Sequence, residues 1–104
     1  MSSVSRDNEG LVLTDLRQKV EEPPLYKVLL HNDDYTTMDF VVMVLEVVFH
    51  KNLQEATRIM LNVHKEGVGI AGVYSRDVAE TKIALVHDMA RHNDYPLKSS
   101  MEKA

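Results

Sequence analysis

The chain has 104 residues, 44% of them hydrophobic, and a net charge of −4. That length holds one domain with one modest core, and the acidic balance argues against a phosphate-backbone binder. Cysteine is absent, which rules out disulfides and thiol chemistry. No apolar run approaches the roughly 18 residues of a membrane span, and the start lacks a basic-then-apolar signal segment, so a soluble cytoplasmic protein is expected.

Met1 to Glu22 is polar, with Leu11, Val12, Leu13 and Leu16 as its only apolar cluster, and Glu21-Glu22-Pro23-Pro24 closes it. Two prolines favour an extended spacer. Residues 1–24 are therefore expected to be a flexible arm and linker ahead of a core domain over 25–104. The first strand is expected over Leu25 to His31, where Tyr26, Val28 and Leu30 alternate with Lys27, Leu29 and His31. Asn32, Asp33 and Asp34 stop it. Thr36 then reads as the N-cap of a helix to about His50, because Met38, Val41, Val42, Leu45, Val48 and Phe49 recur at helical spacing.

Asn52 reads as the cap of a second helix, with Glu55 at the capping-box position. Its apolar face is Leu53, Ala56, Ile59, Met60 and Val63, and Gly67 is the expected stop after His64 and Lys65. Gly67 to Gly72 matches the pattern G-x-G-x-x-G. A dinucleotide loop needs a strand before it and a helix opening within it. Here a helix precedes and the segment itself has strand character, so its glycines are expected to permit close packing. Ser75 opens a third helix, with Asp77 and Glu80 near its positive end and Val78, Ala79, Ile83, Val86, Met89 and Ala90 as its buried stripe. Asn93-Asp94 turns the chain, and Leu97 and Met101 fit a last short strand behind Pro96. The order β-α-α-β-α-β gives an α+β domain: a three-stranded, mostly antiparallel sheet packed on three helices.

Two features bear on function. Asp33 and Asp34 sit where the first strand's end and the next helix's free N–H groups converge. His64 lies one turn after Met60, with Val63 beside both. If this helix end meets the acidic turn, the result is an apolar pocket rimmed by an imidazole, an amide and carboxylates. Such a rim accepts hydrogen bonds, given a neutral His64. It suits a primary amine, which offers three donors and a positive charge. Met38 and Met60 at the walls adapt to several side-chain shapes. The same residues also fit a plain turn with a helix cap and ordinary core methionines. No His, Asp or Glu pair has metal-ligand spacing, and Ser75 and Ser99 lack a nucleophile-elbow context.

Four blocks give the chain a resemblance to the ClpS family, adaptor proteins of a bacterial ATP-dependent protease. They are Tyr26-Lys27-Val28 leading into Asn32-Asp33-Asp34-Tyr35-Thr36, then Ala56 to Leu61 with Val63-His64, then Gly72-Val73-Tyr74 with Val78 to Lys82, and finally Pro96-Leu97 with Met101-Glu102-Lys103. The resemblance implies a non-enzymatic adaptor that binds N-degrons, proteins beginning with Leu, Phe, Tyr or Trp. It implies their delivery to the ClpA-type AAA+ unfoldase of ClpAP. No cofactor, metal or nucleic acid is implied, and a monomer is expected.

By the same resemblance, Asn32, Asp34 and His64 hold the substrate's α-amino group, with Asp33 and Thr36 close to the peptide backbone. Leu30, Met38, Val41, Met60, Val63 and Leu97 line the side-chain pocket. Asp77, Glu80 and Lys82 fall on the unfoldase-docking surface. Thr37 stands where the family usually has Pro, and Ala71 where Cys is frequent. His31 is a less usual neighbour, placed to tune charge at the site. Two other classes stay open on the residues alone: a small metal-dependent hydrolase using Asp33, Asp34 and His64, and an interaction domain without an amine pocket, like the ribosomal stalk domain with the same element order.

Overall fold

The computed structural model describes residues 23–104. The expected arm lies outside the described residues, except for Pro23 and Pro24, which are exposed and precede the first strand. The elements run β1 (Leu25–His31), α1 (Met38–Val47), α2 (Leu53–Glu66), β2 (Val68–Ser75), α3 (Arg76–His92) and β3 (Lys98–Lys103). The sheet has the order β2-β1-β3, with both pairings antiparallel.

Alternation along β1 sends Val28 and Leu30 to the core, where both are fully buried. They meet Val44, Leu45, Ile59, Val63, Val86 and Ala90 from the three helices. Among the described residues no helix covers the opposite face of the sheet, and Leu25, Val68, Ile70 and Val73 are exposed there. A bulge interrupts the β1–β2 register between Val28 and Leu29. Its extra residue, Ala71, is fully buried, so β2 changes phase and still keeps its small residues inward.

The ends of α2 follow the sequence. Asn52 Oδ1 accepts from the Glu55 N–H at 2.8 Å, and Gly67 closes the helix in the left-handed region, at φ 85°. Gly69 then passes directly beneath α2. A β-carbon there would come within 2.7 Å of Val63 Cγ2, and a valine on a helix has little freedom to yield. This glycine serves close packing between strand and helix.

Four expectations need correction. The N-cap of α1 is Thr37, whose Oγ1 accepts from the Phe40 N–H at 3.2 Å; Thr36 is held in the preceding turn. The helix ends at Val47, because His50 adopts φ 56° and Asn52 already caps the next helix. Val48 and Phe49 keep their helical spacing only because both stay in the core beyond the helix end. Val78, expected in the buried stripe of α3, is 43% exposed, although its neighbour Ala79 is fully buried; Val78 lies on the flank of the helix with Thr81, Lys82 and Leu85. Ser75 occupies the cap position of α3 but makes no side-chain capping bond.

Candidate functional site

The site forms where two connections meet. The Asn32 N–H, at the end of β1, donates to the Gly67 carbonyl just past α2, at 2.9 Å. That bond sets the acidic turn beside the helix end that carries His64. Between them lies a cavity of about 510 Å³, inside the roughly 300–1,000 Å³ range of small-ligand pockets. Asn32, Asp33, Asp34, Thr36 and His64 line its polar side, and Met38, Val41, Met60 and Val63 its apolar side. Tyr35 and Thr37 complete the lining. No Lys or Arg is present, so the cavity carries negative charge and favours a cation.

The two carboxylates have different surroundings. Asp33 Oδ1 accepts from the backbone N–H groups of Tyr35 at 2.8 Å and Thr36 at 2.7 Å, and Oδ2 accepts from the Thr36 hydroxyl at 2.7 Å. Asp33 is thus the keystone of an Asx turn. Asp34 is exposed, and among the described residues no ion pair or side-chain hydrogen bond engages its carboxylate. One carboxylate builds the turn, and the other is engaged by no side chain among the described residues.

Partial burial pushes the Asp33 carboxyl up, but the bonds from the Thr36 backbone, the Thr36 hydroxyl and the Tyr35 backbone together outweigh it and hold the group below the usual aspartate range. A folded-state pKa below the unfolded one adds stability above the unfolded value, and that stability is lost as pH falls through the folded value. Unfolding by urea should therefore show an acid-side decline that is shallower in Asp33→Asn, which keeps an acceptor and cannot titrate. Parallel curves down to about pH 2.5 would show that Asp33 does not couple to folding.

Several expected residues lie elsewhere. Leu30 and Leu97 are buried in the core and are not among the cavity-lining residues. His31 also lies off the cavity; its Nε2 pairs with Ser100 Oγ at 2.6 Å on the outer face of the sheet. Thr37 and Tyr35 are lining residues that sequence reasoning missed, although both sit in the stretch it singled out. Among the described residues no group of three or more His, Cys, Asp or Glu is placed to hold a metal ion, so the ligand set required by the hydrolase alternative is not assembled there.

On α3, Asp77 and Glu80 are exposed, and Glu80 pairs with Arg76 at 3.1 Å. Asp77, Val78, Thr81, Lys82 and Leu85 form a shallow groove. Lys82 is partly committed to the fold: its Nζ donates to the Val48 carbonyl at 2.6 Å and lies 5.6 Å from the centre of the Tyr74 ring.

A family model of the ATP-dependent Clp protease adaptor protein ClpS matches residues 21–100. The chain belongs to the ClpS family. As a ClpS protein it is an adaptor of the Clp protease. It is 62% identical over 102 residues to the ClpS adapter of Desulfatibacillum aliphaticivorans, covering 98% of each chain. It is 63% identical over 86 residues to that of Myxococcus xanthus, covering 83% of this chain and 80% of the other. Among solved structures it resembles Agrobacterium tumefaciens ClpS2 bound to L-phenylalaninamide, with 38% identity and a TM-score of 0.77, over 80% of this chain and all of that one. Among the described residues of this ClpS protein, no helix is long and apolar enough to cross a membrane.

Proposed function

We propose that this ClpS-family adaptor recognises N-degrons. It takes the first residue of a protein beginning with Leu, Phe, Tyr or Trp and hands that protein to the ClpA-type AAA+ unfoldase of ClpAP. The observation that supports this is a single cavity in which an amide, two carboxylates and an imidazole stand beside four apolar side chains. The first residue of a protein has the complementary form: an ammonium with three donors and a side chain on the same carbon.

In this reading Asn32, Asp34 and neutral His64 accept the three ammonium protons. Asp33 and Thr36 fix the turn next to the peptide backbone. Met38, Val41, Met60 and Val63 receive the side chain. The ligand of the Agrobacterium relative, L-phenylalaninamide, pairs a free α-amine with an apolar side chain. Residues 25–104 act as the adaptor unit, and Asp77, Glu80 and Lys82 mark the face of α3 that meets the unfoldase. The event is binding, with no bond made or broken.

Fluorescence anisotropy with labelled peptides starting with Leu, Phe, Val or Ala tests the reading. Tight binding of the Leu and Phe peptides, weak binding of the others and indifference to chelator are expected. Equal affinities across the four peptides overturn it.

A further inference from the structure

We infer that Tyr95, which lies outside the cavity, is a positioning residue that sets how sharply the cavity discriminates between first side chains. The inference rests on the proposed binding of N-terminal residues.

Tyr95 reaches the first turn of α1 at two points. Its hydroxyl accepts a hydrogen bond from Thr37 Oγ1 at 3.4 Å, and its ring packs on Phe40 with centroids 4.7 Å apart and planes tilted by 44°. Thr37 and Phe40 are themselves joined, because Thr37 Oγ1 accepts the Phe40 N–H. Met38 stands between these two residues, on the cavity wall, and is 44% exposed. A half-exposed methionine has three rotatable bonds and little packing to define it. Its placement therefore depends on the backbone that presents it.

Tyr95 is held firmly enough to act as the clamp. Its own N–H donates to the Ala90 carbonyl at 2.9 Å, at the end of α3, and the preceding residue, Asp94, takes φ 59° to bring it there. The Phe40 ring beneath it is almost fully buried. The α3–β3 connection thus reaches across and grips the turn that carries Met38. Proline at position 37 would offer no hydroxyl for either bond, so the clamp depends on the threonine of this chain.

The test removes one oxygen. Tyr95→Phe keeps the ring on Phe40 and loses the bond to Thr37, and the Leu, Phe, Val and Ala peptides are measured against it. The expected result is a smaller ratio between Leu and Val affinities, by about two- to fivefold, as suits one neutral hydrogen bond. In a Met38→Ala background the same change should leave the ratio unaltered, since the side chain being positioned is gone. An unchanged ratio in the single variant overturns the inference. So does an equal loss for every peptide together with a lower Tm, which marks general loosening. The wild-type arm keeps the two ideas apart: no discrimination there defeats the proposed function and this inference with it, whereas discrimination that survives Tyr95→Phe defeats the inference alone.

Discussion

A peptide that begins with leucine is expected to lose measurable binding when its α-amino group is acetylated. Acetylation removes the charge and two of the three donors while leaving the leucine side chain intact. The rim then closes over acceptors without partners. An unpaired buried polar group costs about 1–3 kcal/mol, and two such groups at about 2 kcal/mol each correspond to nearly a thousandfold in affinity. The apolar part of the cavity is too small to compensate, so the effect should appear as loss of the anisotropy signal at any practical concentration. Competition with the unlabelled free-amine peptide checks that the protein in the same sample is competent. Matching affinities for the free and acetylated forms would refute the amine-binding rim.

The second large effect separates neighbouring aspartates. Asp34→Ala should weaken binding of a Leu-starting peptide by about 10- to 100-fold, the range for a lost hydrogen bond to a charged group. Its Tm should stay close to that of the wild type, because the side chain is exposed and supports nothing else among the described residues. Asp33→Ala should do the reverse in emphasis. It strips three hydrogen bonds from the turn, at a cost of about 1–2 kcal/mol, which lowers Tm by roughly 5–10 °C in a domain of this size. Thermal melts beside anisotropy titrations check both. A large fall in Tm for Asp34→Ala would turn that residue into part of the cap and remove it from the amine site.

Much of the site was legible because its polar members lie close together in sequence. Asn32, Asp33, Asp34 and Thr36 share one turn, and His64 sits one helical turn from Met60. What brings the two groups together is the Asn32–Gly67 backbone bond, which no side-chain pattern encodes. Two adjacent threonines hid the start of α1. Both are good caps, and the choice falls to Thr37 because Asp33 has already taken the amide and hydroxyl of Thr36. Burial of Leu30 followed from alternation along β1, and Leu97 was as apolar as any wall residue. Burial does not say which neighbour a side chain meets, and neither residue is among those lining the cavity. Val78 misled for a related reason: helical periodicity assigns a face but not its width, and Val78 sits on the flank with Thr81, Lys82 and Leu85 while Ala79 takes the buried place.

The bond from Lys82 to the Val48 carbonyl adds a consequence of its own. Val48 terminates α1, and Met38 begins it. A ten-residue helix is a rod about 15 Å long. Lys82 therefore ties α3 to one tip of that rod, and the opposite tip, at Met38, stands on the cavity wall, so a single short helix spans the distance between the two surfaces.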